Sequence, residues 1–174
     1  MKVYLIDGSH KSAHVNPYRT TIEELWEIIG DKLGLTIEVG VNFFIWGQED
    51  DLGSKLNLMY LIAIELLLYT ESTIHEVRAE WSNWYKKYSN TKRDKKKAST
   101  FKFLFKPTCI VPLRTERNSK SVEGTNLLYL QCAHNVVNSY YPCDIEMAIK
   151  LAGLQASICM GDRNPVIHQI GYLK

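Results

Sequence analysis

Lys86–Lys97 (KKYSNTKRDKKK) is the segment whose residue types have most to offer a partner. In it Lys86, Lys87, Lys92, Arg93, Lys95, Lys96 and Lys97 stand against a single acid, Asp94. The segment carries +6 while the whole chain carries +2, so the remaining residues together carry −4. The chain is nearly neutral but sharply polarised. Three readings of the run follow: a solvated connection that keeps two lobes soluble, a patch for acidic membrane lipids such as phosphoinositides, or a contact for nucleic acid or an acidic protein. Near an anionic leaflet each lysine or arginine gains about 1 kcal/mol, reduced by salt. Nucleic-acid recognition ordinarily adds interleaved aromatics or a basic reading helix. Tyr88 is the only aromatic in the run, so nucleic acid is not the expected partner.

Catalytic chemistry finds little to work with. His10, His14, His75, His134 and His168 lack a Cys, Asp or Glu at a recognisable ligand or triad spacing. Cys132 and His134 sit two apart, and on a helix such positions point away from each other. The glycines Gly8, Gly30, Gly34 and Gly40 are scattered turn and stop residues, with no phosphate-cradling loop. We therefore expect no catalytic residues, no metal, no cofactor and no enzyme. Cys109, Cys132, Cys143 and Cys159 form no C-x-x-C pair and no secretory leader precedes them, a pattern that fits reduced thiols in the cytoplasm.

The elements that must position these residues are legible from spacing. The chain has 174 residues, 45% apolar and 23% charged, with only 5 Pro, which is a globular composition able to build a core of its own. Val3 and Leu5 alternate with Tyr4 and Ile6 before Asp7-Gly8, predicting a hairpin of Lys2–Ile6 with about Ser12–Val15. Thr21-Ile-Glu-Glu24 is a capping box opening a helix through Leu25, Ile29 and Leu33 to Gly34. A strand is expected at Val41–Trp46. The apolar stretch Leu56–Tyr69 is broken by Asn57 and Glu65 and is too short to span a bilayer, so it reads as core.

Ile74, Val77, Trp81 and Trp84 recur at helical spacing within Thr73–Tyr88. Thr100–Phe105 alternates as a half-buried strand. Trp26, Trp46, Trp81 and Trp84 read as packing residues. Farther on, Leu130, Ala133 and Val137 line a helix ending near Ser139, and Tyr141-Pro142 breaks it. Asp144 caps a last helix whose inner face is expected to hold Ile145, Ala148, Ile149, Ala152 and Ala156. Tyr140 and Tyr141, beside the break, are candidates for an exposed docking edge.

These residues resemble a known family. Asn126–Asp162 (NLLYLQCAHNVVNSYYPCDIEMAIKLAGLQASICMGD) is similar to the helical second lobe of a FERM domain. Val3–Leu35 is similar to its ubiquitin-like first lobe, and FKFLFK within Thr100–Lys106 to that lobe's closing strand. Asn126–Gln131 and Gly161–Lys174 most resemble the talin head; the segment from Leu68 to Lys106 also resembles FERM lobes in the tails of unconventional myosins. Leu56–Leu66 has no counterpart.

The resemblance implies an α+β fold: a ubiquitin-like β-grasp lobe over 1–107, a linker over 108–118, and a partial helical, acyl-CoA-binding-protein-like lobe over 119–174. It implies a non-catalytic adaptor in the cytoplasm, joining the inner face of the plasma membrane or receptor-tail proteins to the actin cytoskeleton, with the basic run touching acidic lipids. Its alternatives are a cargo-binding or regulatory myosin-tail fragment, or a peptide-binding module without membrane contact. In the family the second lobe continues through further helices and a third lobe follows. Leu127, Leu151 and Leu154 are accordingly expected to be exposed, or else covered by an unusual closure.

Overall fold

A computed structural model of the chain describes residues 1–36, 40, 42–50, 63–88, 100–107, 121–161 and 164–166. It divides into two compact units, Met1–His134 and Asn135–Lys174.

Among the described residues the first unit has five strands: β1 (Lys2–Tyr4), β2 (His10–Ser12), β3 (Phe43–Asp50), β4 (Ala63–Leu67) and β5 (Lys102–Pro107). They lie in the order β2-β1-β5-β3-β4, with β1 parallel to β5 and the other pairs antiparallel. Asp7-Gly8 makes the expected turn, with Gly8 at φ 84° and the Ser9 amide donating to Asp7 Oδ1. Alternation decides the faces: Val3, Leu5, Phe43, Ile45, Phe103 and Phe105 are buried in one cluster, and the Phe43 and Phe105 rings stack at 5.6 Å.

Two helices bury their apolar stripes in that same cluster. Helix α1 (Ile22–Lys32) contributes Ile22, Leu25 and Ile29, and α2 (Ile74–Tyr88) contributes Ile74, Val77 and Trp81. Each fully buried large apolar side chain is worth about 1.5–3 kcal/mol. This is the sheet-and-helix arrangement that the FERM resemblance implies for a ubiquitin-like lobe.

The helix starts are locked together. Thr21 and Glu24 form the expected reciprocal capping box on α1, and Thr73 and Glu76 form a second on α2 that the sequence reading passed over. The first amides of a helix lack partners inside it. Here each helix draws them from the other's approach: Ile22 and Glu23 donate to the carbonyls of Ser72 and Thr70, while Ile74 and His75 donate to those of Thr20 and Pro17.

Helix α3 (Val122–Val137) begins with Ser121 Oγ accepting the Gly124 amide at 3.0 Å. Its Leu127 is only 9% exposed and belongs to the first unit's core. Of the two outcomes expected for Leu127, exposure is not the one found, because α3 starts against the sheet lobe. The division between units falls within α3, which continues to Val137.

In the second unit Ser139 turns the chain at φ 60°, with the Tyr140 and Tyr141 amides on the Asn135 carbonyl. Asp144 caps α4 (Ile145–Met160), accepting the Met147 amide at 2.7 Å, and Gly161 follows it at φ 77°. The inner face expected for α4 is not buried. No residue of α4 is buried, with Ile145 and Ile149 80% and 67% exposed. Leu151 and Leu154 are exposed as anticipated.

Candidate functional site

Two residues of the basic run, Lys86 and Lys87, are positioned by α2. Its buried stripe, Ile74, Val77, Trp81 and Tyr85, turns the opposite side of the helix to solvent. Trp81 sets the helix's rotation: its indole N–H donates to Glu49 Oε2 at 2.6 Å, a buried contact between residues 32 apart. Gly47 makes room for the ring, because a Cβ there would stand 2.5 Å from it. With the stripe fixed, Lys86 and Lys87 lie exposed in the last turn of α2, where cations also complement the helix dipole. Lys87 Nζ lies 5.0 Å from the centre of the Tyr88 ring.

The far side of the run returns to the same anchor. Phe101, directly ahead of β5, packs its ring 4.5 Å from Trp81 and 4.9 Å from Phe103, and Trp84 meets Trp81 edge-on at 6.2 Å. Both ends of the stretch between Tyr88 and Thr100 are therefore tied to one aromatic cluster. Lys92, Arg93, Lys95, Lys96 and Lys97 lie outside the described residues. Of the seven residues expected to face lipid, the structure describes two, Lys86 and Lys87, adjacent in the last turn of α2.

The start of α2 is polar and tight. Glu76 accepts the Thr73 amide at 2.7 Å and its hydroxyl at 2.9 Å. These hydrogen bonds, with a smaller contribution from His75, hold its carboxyl below the usual 4.5. On the sheet face away from the core, Lys106 sits over the Trp46 ring at 4.4 Å and pairs with Glu65, which also accepts from Gln48 at 2.7 Å.

The tryptophans pack as expected, Trp81 buried and Trp26, Trp46 and Trp84 half-buried. Tyr140 and Tyr141 are 59% and 49% exposed. Among the described residues Cys132, Cys143 and Cys159 are exposed and in no disulfide, whereas Cys109 and His168 lie outside the described residues. Among the described residues no three His, Cys, Asp or Glu gather as a metal-binding group, and no helix is long and apolar enough to cross a membrane.

The sequence reading missed Gly47, Glu49 and the second capping box. The box had a signal, T-x-x-E ahead of an apolar stripe. Gly47 and Glu49 had none, since their partner is distant in sequence.

Comparison with known proteins agrees with this picture. Residues 115–174 match the family model of the FERM central domain. FERM domain-containing protein B of Dictyostelium discoideum is 23% identical over 94% of this chain, and the match covers 53% of that protein. The chain thus spans about half the length of this relative. Talin-B of the same organism is 37% identical over 28% of this chain and 2% of its own length. Among solved structures, the MyTH4-FERM MF1 domain of Dictyostelium discoideum myosin VII superposes with a TM-score of 0.61 at 19% identity, over 95% of this chain and 30% of that one. The FERM resemblance read in the sequence is met by a family model, by relatives and by fold.

Proposed function

We propose that this FERM-type chain is a non-catalytic docking module that joins an acidic membrane surface, or the membrane proteins in it, to the actin cytoskeleton. In this reading residues 1–107 form the first lobe, 108–118 a linker and 119–174 part of the second lobe. The protein works at the cytoplasmic face of the plasma membrane. Relatives among the talins and a similar fold in a myosin VII MyTH4-FERM domain support the cytoskeletal half of the reading.

The membrane half rests on one observation: a +6 segment in a chain whose remainder is −4, springing from the anchored, exposed pair Lys86 and Lys87. Concentrated charge of one sign draws a protein to an anionic leaflet without inserting it, and several residues at about 1 kcal/mol each give reversible recruitment rather than anchoring. Lys92, Arg93, Lys95, Lys96 and Lys97 complete the patch.

Co-sedimentation with phosphatidylserine vesicles at low salt tests it. The wild type should bind, binding should fall as salt rises, and changing Lys92, Arg93, Lys95, Lys96 and Lys97 to Ser should weaken it at least about tenfold. Equal binding by the two proteins would reject the patch. No binding by either would leave a peptide-docking module without membrane contact.

A further inference from the structure

A slot of about 220 Å³ opens between α1 and β3, lined by neither Lys86 nor Lys87. Ile22, Trp26, Phe43, Phe44, Ile45 and Leu68 line it, and four of these are almost wholly buried. Its wall is rigid: the Trp26 indole N–H donates to the Phe43 carbonyl at 2.7 Å, bracing the ring across the gap between helix and strand. The rim is polar. Glu23 and Thr70 stand there, both exposed, and the Glu23 amide to Thr70 carbonyl bond fixes their spacing at 3.0 Å.

Size and charge select the occupant. Pockets for drug-sized ligands run roughly 300–1,000 Å³, so this slot suits a single bulky side chain, the kind of anchor that fills a pocket at a protein–protein contact. The one charged side chain among the described residues that line it, Glu23, is an acid. Glu23 and Glu27 lie one turn apart on the same side of α1, Glu71 adjoins Thr70, and all three are exposed. Glu24, by contrast, is engaged in the Thr21 capping box, so it is no part of the rim.

We propose that this slot is a docking site for a partner peptide that inserts one large apolar side chain flanked by lysine or arginine. The apolar walls supply the affinity; the carboxylates set the orientation and reject acidic segments.

The test uses the full chain and synthetic peptides carrying a central Leu or Phe between arginines, against the same peptides with glutamates. Binding is read by nuclear magnetic resonance, following the Trp26 indole signal, and by fluorescence titration. Arginine-flanked peptides should bind at least about tenfold more tightly than glutamate-flanked ones and should shift the Trp26 signal. Thr70→Trp, an exposed change that closes the mouth, should abolish binding of both. The double change Glu23→Lys and Glu27→Lys should invert the preference.

Absence of binding to the wild type, binding indifferent to flanking charge, or binding that survives Thr70→Trp would overturn the proposal. So would a self-associated dimer that Thr70→Trp dissociates, which would make a second copy the occupant. Vesicle binding through the basic run is read separately, so either result stands without the other.

Discussion

Helices α2 and α4 are of similar length and both carry regularly spaced apolar residues, yet they meet opposite fates. In α2 the apolar residues form one stripe, Ile74, Val77, Trp81 and Tyr85, and all four are buried. In α4 they run almost around the helix, from Ile145 and Met147 to Ile158 and Met160, and all of these are exposed. A helix apolar on every side is ordinarily an interior one. The contrast teaches that periodicity identifies residues that require a partner, while only a second element in the right place supplies it. For α2 that element is the sheet, through Gly47 and Glu49.

The sharpest test sets one substitution in each helix side by side. Trp81→Ala should cost about 3–5 kcal/mol, through lost burial and a cavity, whereas Leu154→Ala, at a position 63% exposed, should stay within about 0.5 kcal/mol. Urea unfolding followed by circular dichroism measures both. Equal costs would erase the distinction drawn here.

Gly47→Ala probes the same anchor from the strand side. The added methyl must push into the Trp81 ring, and overpacking of this kind costs about 1–3 kcal/mol. Thermal unfolding reads the loss. The salt dependence of vesicle binding should change with it if the rotation of α2 aims Lys86 and Lys87.

The smallest effect belongs to the α2 cap. Thr73→Ala should cost about 1 kcal/mol at neutral pH. The Glu76 carboxyl is lowered by its bonds to Thr73, so the ionised form stabilises the fold above the unfolded value of 4.5. That contribution is lost as pH falls through the lower folded value. The melting-temperature gap between wild type and Thr73→Ala should accordingly be widest above pH 5 and narrow on acidification. A gap that does not change with pH would mean that Glu76 does not stabilise the cap through its charge.

How much was legible varies with the reach of the interaction. The capping boxes at Thr21 and Thr73, the Asp7-Gly8 turn and the Asp144 cap all join residues within a few positions, so their geometry is written in adjacent letters. Strand alternation likewise put Val3 with Leu5 and Phe103 with Phe105 on shared faces, which are buried, although Leu104 on the opposite face of its strand is buried as well. The inner face assigned to α4 failed because its pattern was read as if a partner were guaranteed. Leu127, for which exposure and an unusual closure were both open, was claimed by the sheet lobe across a long separation.

For the docking surfaces the division is the same. Residue types and their order alone determined the charge polarity of the chain, the seven basic positions and the resemblance to FERM lobes, because charge and local hydrogen bonding need no long-range contact. Tertiary structure alone decided that Gly47 must lack a side chain, that Trp81 and Glu49 meet, and that Trp26 closes one wall of an acid-rimmed slot. Those facts depend on which distant segments pack together, and packing at close-packed density is a property of the assembled neighbourhood rather than of any one segment.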